Sequence, residues 1–124
     1  GDGSGGVAFV IAPVAPGDPL EPLLDGLVTR ASDASNFLKA LGHDGRLTIL
    51  CHLMSGPKSV TELENLLSAR QAVVSQQLAR LRLEGLVSAR REGQAIFYSI
   101  LDPKVIEMLA VLGHLFEARD ERAG

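Results

Sequence analysis

Two amphipathic stretches, SVTELENLL and SARQAVVSQQLARLRLEGLV, follow one another without a linker between Ser59 and Val87, and this adjacency constrains the fold more than any other feature. In the second stretch, at about 100° per residue, Val74, Leu78 and Leu81 stack on one side of a helix while Ala72, Gln76 and Ala79 point away, flanked by Ser75 and Arg80. Ser68 with Gln71 is expected to form a capping box at its start, and Gly85 to end it in the left-handed conformation. In the first stretch Ser59 and Glu62 form the same kind of box, and Val60, Leu63 and Leu67 make an apolar stripe. Two capped helices with nothing between them must meet across a tight turn, which is the sequence form of a helix-turn-helix. Other tight helix pairs share this periodicity, but a small, amide-bearing outer face suits the reading of base edges in a major groove.

After Gly85 the pattern changes from helical to alternating. AIFYSI sets Ala95, Phe97 and Ser99 on one face and Ile96, Tyr98 and Ile100 on the other, as in a strand, with Leu86 to Arg90 as its expected partner. RREGQ, with Gly93 at the turn, joins them. A hairpin carrying Arg90, Arg91 and Gln94 at its tip, directly after such a helix, reads as a wing; the plain alternative is an ordinary solvated hairpin.

LGHDGRLTILCHL, SVTELENLL and SQQLARLRLEGLVSARREGQAIFYSI together resemble the ArsR-type winged-helix repressors, and within them the BigR/SqrR/HlyU-like branch that responds to sulfide and persulfide. The resemblance covers about residues 34 to 118 and is weaker before them. It implies a mainly α (α+β) fold, a winged helix-turn-helix with a two-stranded β-hairpin wing and terminal dimerisation helices. It also implies a homodimeric transcriptional repressor that leaves an inverted-repeat operator in response to a chemical signal.

The 124 residues suit a single domain, and with 46% apolar but only 4% aromatic residues its core should be built from Leu, Val and Ile. A net charge of −3 argues at first against a nucleic-acid partner. Distribution outweighs the sum, because Ser68 to Tyr98 holds five arginines against two glutamates. The expected organisation is a flexible Gly/Pro-rich tail at 1–18, a DNA-binding and dimerisation domain at 19–119, and a short tail at 120–124. GDGSGG spells a dinucleotide-binding fingerprint, but no strand precedes it and no βαβ unit surrounds it, so the match carries no weight. Val7 to Ile11 is too short to span a membrane and lacks a basic flank, so the expected location is cytoplasmic, without a membrane partner.

Asp18 and Pro19 make a helix start, and Leu20, Leu24, Leu27, Ala31, Ala34, Leu38 and Leu41 recur at spacings of four and three. One helix with a seam of period 3.5, ended by Gly42, is therefore expected, and such a seam wants a helical partner. Packing within its own domain is the alternative. At the other end Asp102 caps and Pro103 starts a helix whose stripe is Val105, Leu109, Leu112 and Phe116. The resemblance implies that the N- and C-terminal helices together form a homodimer interface.

A single cysteine excludes an intrachain disulfide. Cys51 shares a stripe with Leu47, Leu50 and Met54, where a lone cysteine is expected as a small buried hydrophobe. The resemblance instead matches it to the first redox cysteine of the sulfide-responsive branch, making it a possible sensor, and places the second at Glu117. That branch's two-cysteine switch therefore cannot form. His114 and Glu117 have the spacing of two ligands on one helical face and are weak candidates for the last-helix zinc site of some relatives. The positions matching the other two ligands are Leu101 and Pro103, which cannot ligate, so neither a metal nor a cofactor is expected. His43 and His52 read as capping or packing residues.

Nothing in the chain supplies a base for Cys51, paired carboxylates at diagnostic spacing or a phosphate loop, so no enzyme is expected. The expected partner is double-stranded operator DNA, with Gln71, Ser75 and Gln76 toward base edges, Ser68, Arg70 and Arg80 toward phosphates or flanking bases, and Arg90, Arg91 and Gln94 in the wing contact. The alternatives are a metal-responsive sensor of the same type using His114 and Glu117, and a winged-helix module that binds protein.

Overall fold

The computed structural model describes residues 11–117, which fall into two compact units divided between Ser35 and Asn36. GDGSGG and the expected tail at 120–124 lie outside the described residues. Among the described residues the helices are α1 (Leu20–Thr29), α2 (Ala31–Leu41), α3 (Asp44–Leu53), α4 (Val60–Leu67), α5 (Gln71–Leu83) and α6 (Pro103–Leu115). The strands are β1 (Lys58–Ser59), β2 (Val87–Glu92) and β3 (Ala95–Ile100). No described helix is long and apolar enough to cross a membrane.

The first unit holds α1 and the start of α2. Asp18 Oδ1 accepts from the Leu20 N–H at 2.8 Å, as the helix-start reading expected. The single long helix with a three-heptad seam does not form, because the chain breaks at Arg30 (φ −111°, ψ 27°). There the Arg30 N–H is shared between the Gly26 and Leu27 carbonyls, both at 3.1 Å, which tightens the last turn of α1. Asp33 favours a new N-terminus as the acid in the first turn of α2, and its carboxylate holds the Arg30 guanidinium at 3.1 Å. No residue of α1 is buried.

The second unit contains the core. Ile49, Leu50 and Leu53 of α3 meet Leu63 of α4 and Val74, Leu78 and Leu81 of α5, all nearly inaccessible, with Val87 of β2 and Val105 of α6 closing the cluster. Local signals set the ends of these helices. The His43 imidazole Nδ1 accepts from the Gly45 N–H at 3.1 Å to cap α3, and Arg46 reaches back to the Ala40 and Lys39 carbonyls at 2.7 and 3.0 Å, satisfying the end of α2. Asp102 caps α6 through the Lys104 N–H at 2.9 Å. Burial by itself would raise the Asp102 carboxyl, but the Lys104 backbone and ammonium groups prevail and hold it below its ordinary value.

The expected two-stranded hairpin forms as β2 and β3, and a third strand, β1, joins it in the order β1-β3-β2, antiparallel throughout. Lys58 and Ser59 pair with Tyr98 and Phe97, so β1 ties the start of α4 to the hairpin. Two residues carry no alternation, and β1 was invisible to periodicity for that reason. The stripe of α6 is buried at Val105 and Leu109, half-buried at Leu112, and 81% exposed at Phe116.

Candidate nucleic-acid interface

Helices α4 and α5 are joined by Ser68, Ala69 and Arg70 alone, and their geometry decides what α5 can present. The capping box at Ser59 forms as expected, with Glu62 N–H to Ser59 Oγ at 3.1 Å and Ser59 N–H to Glu62 Oε1 at 2.8 Å. The expected box at Ser68 does not form. Ser68 instead closes α4 in the left-handed conformation (φ 51°, ψ 45°), with its N–H toward the Glu64 carbonyl, and α5 starts at Gln71 with Arg70 as an N-cap lacking a side-chain hydrogen bond. So short a link must reverse direction at once, and a left-handed residue does so in one step. Gln71 is thereby the first residue of α5 and lies at the turn.

The buried side of α5 is Val74, Leu78 and Leu81, as its stripe requires. Gln71, Ala72, Gln76, Ala79 and Arg80 are exposed and Ser75 is half-buried at the margin. A C-terminal stop follows at Gly85 (φ 76°), where L side chains are disfavoured. The Leu86 N–H then returns to the Leu81 carbonyl at 2.9 Å, leading directly into β2.

In the hairpin, β2 runs to Glu92, which pairs with Ala95, so the loop is only Gly93 (φ 65°) and Gln94. Arg90 and Arg91 thus lie on the strand rather than at the tip. Arg90 faces Phe97 and Arg91 faces Ile96 across the ladder, so the two guanidinium groups leave opposite faces of the wing. Two of the arginines expected to meet DNA, one on α5 and one in the wing, already have carboxylate partners: Arg80 Nε lies 3.2 Å from Glu84 Oε2, and Arg90 Nη2 lies 2.8 Å from Glu92 Oε2. Arg70, Arg82 and Arg91 have none among the described residues. All these pairs are solvated and weak, so a polyanion can displace them.

Sequence reasoning missed two residues here. His43 and Arg46, thirty or more positions before Gln76, line with Gln76, Gln77 and Arg80 an open polar recess of about 310 Å³ beside the outer face of α5. Only the packing of α3 against α5 brings them together, and no spacing in the chain announces it.

Two other expectations need correction. Cys51 is exposed, not buried, because α3 turns Ile49, Leu50 and Leu53 into the core and leaves Cys51 and Met54 on its flank. DGRLTILCHL supports two overlapping stripes at helical spacing, so the sequence did not decide which one faces inward. The shared helical face of His114 and Glu117 is also absent. α6 ends at Leu115, and Phe116 (φ −109°, ψ 27°) turns the chain before Glu117. Among the described residues no three metal-ligating side chains cluster.

Residues 43–89 match the family of bacterial regulatory proteins named for arsR. The chain is 39% identical over 110 residues to a biofilm growth-associated repressor of Agrobacterium fabrum, spanning 83% of this chain and 94% of that one. It is 36% identical over 104 residues to the transcriptional activator HlyU of Vibrio cholerae, spanning 84% and 94%. The crystal structure of the transcriptional repressor BigR from Xylella fastidiosa superposes with a TM-score of 0.74 at 36% identity, covering 77% of this chain and 98% of that one. With helix-turn-helix, hairpin and near full-length relatives in agreement, the chain belongs to the ArsR family and is a DNA-binding transcriptional regulator with a winged helix-turn-helix fold, not an enzyme.

Proposed function

We propose that the protein is a cytoplasmic homodimeric repressor that holds a pseudo-palindromic operator through α5 and the β2–β3 wing of each subunit. The observation that carries this reading is α5 itself, which buries Val74, Leu78 and Leu81 and turns a small and amide-bearing face outward between exposed arginines. Side chains as short as Ala72 and Ala79 let the helix approach base edges closely, and Gln76 supplies an amide able to pair with adenine. Gln71 and Ser75 flank it on the same approach. Ser68, Arg70 and Arg80 bracket the helix and go to phosphates, where Arg80 exchanges Glu84 for the backbone. The recess that His43 and Arg46 share with Arg80 adds a polar wall on that side.

In the wing, the opposed directions of Arg90 and Arg91 direct one guanidinium to each wall of a groove, with Gln94 at the tip between them. Two such units related by a dyad would set their recognition helices about 34 Å apart, one turn of duplex. The exposed leucines of α1 and the exposed end of α6 are the surfaces through which we infer the dimer forms.

Salt dependence tests the reading. If about eight phosphates are neutralised per dimer, operator affinity falls by roughly three to five orders of magnitude between 50 and 200 mM salt. A nearly flat dependence overturns it and favours a winged helix that binds protein.

A further inference from the structure

We propose that the recess where α3 meets α5 seats one phosphate of the operator backbone, which makes His43 and Arg46 a DNA contact separate from the recognition helix and the wing. Its walls are His43, Arg46, Gln76, Gln77 and Arg80. Two of the five are guanidinium cations and none is acidic, so the recess as a whole is complementary to an anion. Which anion follows from continuity with the reading face. Gln76 belongs both to this wall and to the outer side of α5. A major groove is about 12 Å wide, so a helix that lays Gln76 on a base edge has a sugar-phosphate strand on either flank. The recess occupies one of those flanks.

The charges around it leave room for that phosphate. Glu84 holds Arg80 Nε at 3.2 Å, but the pair is solvated and yields to a polyanion. Asp44, the acid next to His43 in the chain, lines the neighbouring cleft and not this recess. Arg46 is held before any DNA arrives, because its Nε and Nη2 donate to the Ala40 and Lys39 carbonyls at 2.7 and 3.0 Å. A cation fixed in this way loses little freedom on binding.

The identity of the capping residue points the same way. Asn, Asp and Ser are the strongest N-caps, and a carboxylate at position 43 would also share the recess with two arginines. Stability alone therefore favours an acid there. Histidine caps α3 through Nδ1, which accepts from the Gly45 N–H at 3.1 Å, and this role puts the ring proton on Nε2 as a donor. The helix keeps its cap and the recess stays free of negative charge.

The inference rests on the DNA-binding reading, and the experiment lets the two fail separately. The probe is a duplex of about 30 base pairs, long enough for two half-sites one turn apart, selected from random sequence by the full chain. His43→Asp and His43→Asn both retain a capping oxygen, so their urea midpoints should match or exceed that of wild type. Affinity should nonetheless fall about tenfold on every sequence for His43→Asp, which sets a charge against the phosphate, and stay within about threefold for His43→Asn. Probes carrying one methylphosphonate linkage each then locate the contact. At one linkage per half-site, beside the base pair that Gln76 reads, removing the charge should weaken wild type and strengthen His43→Asp. A purely structural cap gives no such reversal of sign. Affinity of His43→Asp within about twofold of wild type, the absence of a reversing linkage, or a lowered urea midpoint in His43→Asp overturns the phosphate site. If wild-type binding is still steeply salt-dependent, the DNA-binding reading stands; a chain that selects no duplex overturns both.

Discussion

Helices α5 and α1 carry apolar stripes of similar regularity and meet opposite fates. Val74, Leu78 and Leu81 of α5 are at most 1% exposed, whereas Leu20, Leu24 and Leu27 of α1 stand 44, 39 and 52% exposed. Periodicity reports that a helix has a face to cover but not what covers it. In α5 the cover comes from α3 and α4 of the same unit. In α1 it is left to water or a second chain, and a row of exposed leucines on a soluble helix is what a helical partner would bury.

Removing the core side of this contrast gives the largest effect. Leu78→Ala leaves a cavity among Leu50, Leu63 and Leu81 and should cost about 2 to 5 kcal/mol of unfolding free energy in urea, while Leu27→Ala should cost under about 0.5 kcal/mol within the isolated subunit. Equal losses, measured at concentrations where only monomer is present, would erase the distinction between the two helices. Leu27→Asp comes next. A charge placed in a seam between subunits costs several kcal/mol, so sedimentation should show dissociation, and operator binding should fall with it. A wild-type monomer that still binds operator defeats the dimer reading.

How far the chain could be read in advance follows the same division. The Ser59 capping box, the Val74 stripe, the Gly85 stop and the Asp102–Pro103 start are local, and each formed as the sequence indicated. Features that depend on what a segment packs against did not show. The break at Arg30 interrupts an unbroken heptad pattern, the inward side of α3 is a choice between two equivalent stripes, and β1 exists only because β3 offers Lys58 and Ser59 an edge. On α5, the exposure of Gln71, Gln76 and Arg80 was legible from helical phase. His43 and Arg46 were not, since tertiary packing alone brings them beside Arg80.

The outer side of α5 sharpens the contrast with its inner side. Gln76→Ala should leave stability within about 0.5 kcal/mol and cost about 1 to 3 kcal/mol of operator affinity at one base position, whereas Arg91→Ala should weaken all sequences alike. Loss on every sequence from Gln76→Ala would show that another face of α5 meets the bases.

Helix α6 is intermediate, buried at Val105 and open at Phe116, and its anchoring depends on Asp102. Because the folded carboxyl titrates below its ordinary value of 3.8, it contributes stability that is fully present above that value. The contribution is lost as pH falls from there through the folded value. Asp102→Ala should cost about 1 kcal/mol at neutral pH. Asp102→Asn should retain the cap while flattening stability between pH 4 and 2, as judged from urea midpoints across that range.

The smallest effect is expected at Cys51, on the one exposed flank of a helix whose other side is core. Ile49, Leu50 and Leu53 each lose contacts when truncated, but Cys51 lies on the open side, so Cys51→Ser should change stability by less than about 0.5 kcal/mol. An exposed thiol is open to reagents, and alkylation of the native protein should proceed within a few-fold of the rate in urea. Reactivity alone does not make a switch. With one cysteine in the chain, oxidation ends in a persulfide, a sulfenic acid or a bond to another molecule, and none of these ties α3 to another element of the same subunit. A signal needs about 1 to 3 kcal/mol of coupling between thiol and operator, and a solvated group on a helix flank has few contacts through which to supply it. A persulfide donor should therefore shift operator affinity less than about fivefold, and Cys51→Ser should bind as wild type does. A large, reversible loss of binding in wild type that vanishes in Cys51→Ser would show that this open flank of α3 is covered by a second subunit, and that the exposed side of the helix, not its core side, carries the signal.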